Sequence, residues 1–325
     1  MPKISVVVPI YGVEKYIEQC ARSLFEQTLD DLEYIFVNDC TPDKSMEILD
    51  RVMGEYPHRQ SQVVILNNDQ NLGQSGTRKR AIEAAKGDYV IHCDSDDWAE
   101  TDWLERMYNE AISQNAEIVQ CDAFMNYEDG REIRKHMKCS EDKTQAFKDY
   151  YTSVRMASLW SHLVSRRIVQ SNDLVWPTWN YTEDTALVFQ YTMKANRIAV
   201  VDAPLYHYRD NAQSISHEKF EVLYKDYLRT HALMEKWCKE MRIWDSMLPQ
   251  RLARGFNRKA RKFGEEKGSD LEAQKVWLST NPELGFFDLL KADLPISTKV
   301  YSVILLLRIF PIVNRIVDIR RRIWS

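Results

Sequence analysis

The sequence predicts an α/β fold, a doubly wound and mostly parallel sheet, followed by a helical C-terminal region. Two observations carry this. Through the first hundred residues short apolar runs alternate with helical periods, joined by short connections. Past Ser216 the strand-like runs give way to long helical periods, at Glu218 to Met241, Asp245 to Lys267 and Asp270 to Thr280.

The elements follow in order. Ile4 to Ile10 is a continuous β-branched run containing Pro9, the pattern of a strand buried on both faces. From Val13 to Gln27 a helix sets Ile17, Cys20, Ala21 and Leu24 on one face. A second strand, Glu33 to Asn38, ends at Asp39. Thr41-Pro42-Asp43 then opens a helix that buries Ile48, Leu49, Val52 and Met53. Val63 to Leu66 gives a third strand, Ser75 to Lys86 a third helix stopped at Gly87, and Tyr89 to Cys93 a fourth strand. Ligands of such sheets bind beyond the carboxyl ends of the strands. Here those ends carry Pro9-Ile10-Tyr11, Asn38-Asp39, Asn67-Asn68-Asp69 and Asp94-Ser95-Asp96-Asp97.

A chain of 325 residues, 44% of them hydrophobic, can bury a large core with a further piece attached. Its net charge of −4 argues against nucleic acid as a partner. Charge is unevenly spread: residues 299–325 hold six basic side chains and one acid, which makes that tail +5 and leaves −9 before it. Six cysteines show no Cys-x-x-Cys pair and no zinc spacing, and Cys20, Cys93 and Cys121 lie in apolar patterns as buried thiols. The N-terminus enters a strand directly, so a cytoplasmic protein is expected.

Asp94, Asp96 and Asp97 close the fourth strand. On an extended chain an i, i+2 pair projects to one side, where two carboxylates could converge on Mg²⁺ or Mn²⁺. An isolated Asp-x-Asp is more often an acidic turn. Neither Gly-x-Gly-x-x-Gly after the first strand nor Gly-x-x-x-x-Gly-Lys-Ser/Thr occurs, which removes the main support for dinucleotide and P-loop readings. Asn71-Leu72-Gly73-Gln74-Ser75-Gly76-Thr77-Arg78 leads into a helix start, suited either to an anion or to ordinary capping.

Several segments recur in a family order: Val6-Val7-Val8-Pro9-Ile10-Tyr11, Ser23-Leu24-Phe25-Glu26-Gln27-Thr28, Val37-Asn38-Asp39, Asn71-Leu72-Gly73, Gly87-Asp88-Tyr89, Asp94-Ser95-Asp96-Asp97, Glu183-Asp184-Thr185 and Pro204-Leu205-Tyr206-His207-Tyr208-Arg209. Over about residues 4 to 216 the chain resembles the family 2 glycosyltransferases, inverting enzymes of GT-A fold from bacterial polysaccharide synthesis. The resemblance implies a nucleotide-diphosphate sugar donor, usually UDP-linked, and Mn²⁺ or Mg²⁺. Pro9 and Tyr11 would line the base and Asp39 would face it. Arg78 and Ser95 would belong to the donor site. Asp94 would lie near ribose and metal, and Asp96 would be the main metal carboxylate. Residues 1–110 would form the donor half, 111–216 the acceptor half and 217–325 the helical region.

Glu183 and Asp184 precede an amphipathic segment, Thr185 to Ala195, where acids complement a helix dipole. The resemblance makes this pair the source of the catalytic base, Asp184 ahead of Glu183. Asp97, Trp160 and His162 fall in the acceptor region, with His162 read as a packed residue ahead of an acceptor ligand. Arg251 to Lys262 makes a basic helix, read as a solvated face ahead of a contact with anionic lipid. Val300 to Ile323 is too broken by arginines to span a bilayer, and suits either a helix in the membrane interface, kinked at Pro311, or a docked terminal helix. The expected partners are the sugar donor, a glycan or polyprenyl-linked acceptor, and the inner membrane surface. A nucleotidyltransferase would need a Gly-rich basic loop after the first strand, which Pro9-Ile10-Tyr11-Gly12 is not. A non-catalytic scaffold would have no need of Asp39, Asp94, Asp96 and Asp184.

Overall fold

The strand β1 (Ile4–Ile10) lies at the centre of a parallel set, paired with β2 (Leu32–Asn38) on one side and β4 (Tyr89–His92) on the other. Val6, Val7 and Val8 are successive and all fully buried, so both faces of the strand are covered. The structure is a computed structural model that describes residues 1–137, 140–151, 157–211, 220–247, 269–280, 285–291, 296–309 and 312. It divides into two units, Met1–Tyr150 with Arg155–Ser214 and Tyr151–Val154 with Ile215–Ser325.

In the first unit β3 (Val63–Asn67) joins β2 in parallel, and α1 (Ile17–Phe25), α2 (Ser45–Glu55) and α3 (Gly73–Ala84) flank these strands. Ile17, Cys20, Ala21 and Leu24 of α1 are fully buried, as their spacing predicts. At Gly87 the chain passes so close to β1 that an added Cβ would lie 2.5 Å from the Ser5 nitrogen and 2.7 Å from the Ile4 carbonyl carbon. Only glycine fits there.

The sheet continues beyond β4. Its order is β3-β2-β1-β4-β8-β6-β9-β5, made with β5 (Trp98–Ala99), β6 (Ile118–Asn126), β8 (His162–Ser165) and β9 (Ile198–Arg209); β7 (Glu132–Lys135) forms a hairpin on the outer half of β6. β8 is antiparallel to β4 and β6, whereas β6 and β9 run parallel with a register shift where Asp122 faces Pro204. The segments 1–110 and 111–216 therefore share one sheet. Helices α4 (Trp103–Gln114), α5 (Lys143–Tyr151), α6 (Arg166–Val169) and α7 (Glu183–Lys194) complete the set.

The second unit contains α8 (Phe220–Glu240), α9 (Asp270–Thr280), α10 (Phe286–Lys291) and α11 (Ile296–Leu306). Its core includes Leu223, Tyr227, Met234, Trp237, Trp277 and Leu289. Two expectations change here. Of the helix expected from Asp245 to Lys267, Asp245–Met247 is a 3₁₀ turn, and the rest, including the basic run Arg251 to Lys262, lies outside the described residues. The terminal helix begins before Val300 and closes at Leu306, because Arg308 takes a left-handed backbone (φ 58°) that no helix continues through. Pro311 and residues 313–325 lie outside the described residues. Among the described residues no helix is long and apolar enough to cross a membrane.

Candidate active site

The carboxyl ends of β1 to β4 meet the start of α3, and Asp39 ties them together. Its Oδ1 accepts hydrogen bonds from the Leu72 nitrogen (2.7 Å) and Asn68 Nδ2 (2.6 Å), and its Oδ2 accepts one from the Gly73 nitrogen (3.0 Å). A carboxylate thus sits on the free N–H groups of the helix start, where the dipole favours it. Gly73 holds a left-handed φ of +70° against the Asn180 side chain, and Asn180 Oδ1 in turn accepts from the Ser75 nitrogen at 3.3 Å. Asp39 is 4% exposed, while Tyr11 is 54% exposed beside it at the end of β1, with Pro9 half-buried.

One turn into α3, Arg78 is 3% exposed and holds two acids from distant segments. Its Nη2 donates to Asp94 Oδ1 at 2.6 Å, and its Nη1 donates to Glu183 Oε1. Glu183 and Asp184 form the first turn of α7, after Thr182 in a left-handed conformation (φ 64°). The two acids differ in environment. Glu183 is buried, and burial raises its carboxyl to about 8 although the Arg78 cation opposes the shift. Asp184 is half-buried and bonds only locally, accepting from the Thr185 nitrogen at 2.6 Å; burial raises its carboxyl as well. His92, buried at the end of β4 without a hydrogen bond on either ring nitrogen, is kept neutral by burial and then by the Arg78 charge.

The acidic stretch is a turn and not extended chain. The strand ends at His92, and the Asp97 nitrogen donates to the Asp94 carbonyl at 3.0 Å, closing Asp94 to Asp97 on itself. The argument from i, i+2 projection therefore fails. Burial first and the Asp94 charge second raise the Asp96 carboxyl. Asp96 Oδ2 accepts from Asn211 Nδ2 at 3.2 Å. Ser95 is buried within the turn. Among the described residues no group of three or more His, Cys, Asp or Glu side chains is gathered as a metal site.

The three residues expected in the acceptor region are all core. Asp97 is 1% exposed, and its oxygens accept from the Tyr206 hydroxyl (2.9 Å) and the Arg209 nitrogen (2.7 Å), so it fastens β9 to the turn and leaves nothing open to an acceptor. Trp160 is 3% exposed and stacks on Tyr206 at 4.5 Å between centroids. His162 is 1% exposed; its Nδ1 must donate to the Ser158 carbonyl (2.7 Å), which leaves Nε2 to accept from the Tyr150 hydroxyl (2.7 Å). Burial lowers its pKa to about 4, so it is a neutral packed residue.

Arg209 is a site residue that pattern reading did not single out. Its Nε donates to the Asp96 carbonyl (2.9 Å), its Nη2 to Gln19 (2.6 Å), and its guanidinium lies over the rings of Trp98 (4.6 Å) and Tyr16 (5.0 Å). Arg209, Trp98 and Tyr16, with Tyr127, Arg131 and Asn211, line a cleft of about 260 Å³, and Asn211 is also the partner of Asp96. The sequence offers Arg209 only as the last residue of the segment Pro204 to Arg209, without a role; its partners are too far away in the chain to be seen.

Compared with known proteins, residues 5–170, just over half of the chain, match the family description glycosyl transferase family 2. The chain belongs to that family. The matched range contains Asp39, Arg78 and Asp94 to Asp97 but stops short of Glu183 and Asp184. The uncharacterized glycosyltransferase EpsJ of Bacillus subtilis is 29% identical over 71% of this chain and 67% of its own length. S. aureus TarS, solved with UDP-GlcNAc, shares the fold at 20% identity and a TM-score of 0.68, over 89% of this chain and 83% of its own. The mannosyltransferase PcManGT of Pyrobaculum calidifontis, solved with GDP-Man and Mn²⁺, is similar over 94% of this chain and 86% of its own at 13% identity and a TM-score of 0.54. The family 2 glycosyltransferase thus has the GT-A sheet, and the acidic turn at the carboxyl edge of that sheet lies against the buried Arg78.

Proposed function

We propose that this chain is an inverting, metal-dependent glycosyltransferase that moves a sugar from a UDP-linked donor to a glycan or polyprenyl-linked acceptor in cell-surface polysaccharide synthesis. The observation that carries this is Arg78, which draws the Asp94 turn and the Glu183-Asp184 pair to one point. Residues 1–110 then form the donor half and 111–216 the acceptor half. The exposed Tyr11, with Pro9, is suited to lie against the base, and Asp39 anchors the loop beside it. The UDP-GlcNAc complex of TarS supports a UDP donor.

The residues fit a divalent cation. The Asp94 charge disfavours ionisation of Asp96, a repulsion that a cation would relieve, and Mg²⁺ or Mn²⁺ commonly takes one or two carboxylates and fills its shell with phosphate and water. The Mn²⁺ complex of PcManGT supports the same choice. When bound, the metal would offset charge building on the leaving diphosphate.

Asp184 is the base in this reading. Of the pair it is the less buried and has no ion-pair hydrogen bond, and a raised pKa brings a carboxylate closer to the strength that proton removal needs. It takes the proton of the acceptor hydroxyl as that oxygen attacks the anomeric carbon from the side opposite the diphosphate. Glu183, locked on Arg78, holds the cluster in place. The basic C-terminal residues, +5 over 299–325, attach the enzyme to the cytoplasmic face of the inner membrane.

A thermal-shift series with UDP, GDP, dTDP and CMP, each with and without Mn²⁺, tests the donor and metal together. UDP near 100 times its dissociation constant should add roughly 2.7 kcal/mol of stability. The effect should need Mn²⁺ and vanish in Asp96→Asn. Equal stabilisation of wild type and Asp96→Asn would overturn the metal assignment, and a response to GDP alone would overturn the donor.

A further inference from the structure

In the second unit α11 carries an apolar side outward. At about 100° per residue, Ile296, Val300, Val303 and Leu307 fall along one stripe. Ile296 is 80% exposed, Val300 53% and Leu307 61%, with Val303 half-buried. The covered side holds Ser302 and Leu305, and the helix packs with α9 and α10. A surface helix ordinarily does the reverse, turning its apolar stripe to the core. Phe286 (49% exposed) and Phe287 (73%) on α10 add aromatic surface, and Ile309 and Ile312 follow α11 with exposed side chains of their own. So large a set of bare apolar side chains marks a contact surface.

The charge around it says what kind. Lys299 lies on α11 and Arg308 just past its end, and along the sequence residues 299–325 carry six cations against one acid. An exposed apolar stripe in a segment of net charge +5 matches an anionic bilayer, whose headgroups meet the charge while its acyl boundary takes the side chains.

We propose that the outward stripe of α11, with Phe286 and Phe287, inserts into the headgroup–acyl boundary of an anionic membrane. This rests on the membrane attachment proposed above and deepens it: cations alone adhere to a surface and are released by salt, whereas inserted side chains are not.

The test is vesicle flotation of the full chain at low and high salt, on phosphatidylcholine with and without phosphatidylglycerol. The variants are Val300→Asp/Leu307→Asp, the single Ile296→Asp, and Arg320→Ala/Arg321→Ala/Arg322→Ala, each checked for an unchanged melting temperature. Wild type should remain on anionic vesicles at high salt, and the stripe variants should lose at least tenfold in partition there, roughly the loss of one buried aliphatic side chain. The arginine variant should weaken chiefly at low salt. Complete release of wild type by salt, or stripe variants that bind like wild type, would overturn insertion even if the arginine variant still fails and attachment stands. Failure of wild type on every vesicle overturns both readings, and a dimer that the stripe variants split would show that a second copy covers the stripe instead.

Discussion

Replacing Arg78 by Met keeps the stem of the side chain and removes its charge, and the structure sets the cost. Arg78 is 3% exposed, Glu183 is similarly buried, and the Asp94 side chain is 21% exposed. Removing one member of a buried ion pair costs about 3–5 kcal/mol where the partner left behind is charged, which for Glu183 is the case above about pH 8. For a unit of this size that corresponds to a melting temperature lower by on the order of 10 °C. The pH dependence follows from Glu183. Its carboxyl ionises near 4.5 when unfolded and at about 8 when folded, so its contribution is fully present below 4.5 and is lost as pH rises toward 8. Arg78 is what holds the folded value down. In Arg78→Met the loss should therefore continue past 8, and the gap between variant and wild type should widen above that pH. Urea unfolding at pH 6 and 9.5 measures both effects, and adding Glu183→Gln to Arg78→Met should recover part of the loss at pH 9.5, where the carboxyl would otherwise have to ionise. A gap below about 1 kcal/mol, or one that narrows above pH 8, would refute the charge-compensation argument.

Two further predictions test the site and the sheet. Asp184→Asn should keep its nucleotide-dependent thermal shift while its rate of nucleoside diphosphate release falls by roughly 10²–10⁴; if Glu183→Gln shows that phenotype and Asp184→Asn does not, the base is Glu183. Gly87→Ala should destabilise by about 1–3 kcal/mol, since its Cβ would meet β1 backbone at 2.5 Å. The control Gly54→Ala, in a helix with open space around it, should gain up to about 1 kcal/mol in the same melts.

The first half of the sheet was legible because parallel strands buried on both faces leave unbroken apolar runs such as Ile4 to Ile10, and because α1 repeats its buried residues at helical spacing. The second half was not, for reasons visible in particular residues. β9 extends over twelve residues, but Asp202 and Pro204 at the register shift break it into two short pieces in the sequence. β7 is an exposed hairpin strand without an apolar face to announce it. Boundaries moved where a distant group decided them: α3 starts at Gly73 and not Ser75 because Asp39, over thirty residues earlier, accepts the hydrogen bonds of its first turn.

The same division runs through the site. Individual acids could be named from the sequence, since each closes a strand or opens a helix, but what they do depends on neighbours that only the fold supplies. Asp94, Asp96 and Asp97 are nearly alike as text. Asp97 becomes a structural anchor because Tyr206 and the Arg209 nitrogen reach it, Asp94 becomes half of an ion pair because Arg78 does, and Asp96 is left with a side-chain contact to Asn211, a residue that lines the cleft. Glu183 and Asp184 separate in the same way, one buried against a cation and one turned partly to solvent. The chemical roles proposed here therefore follow from which carboxylates the fold leaves uncommitted, a property of packing that no spacing rule encodes.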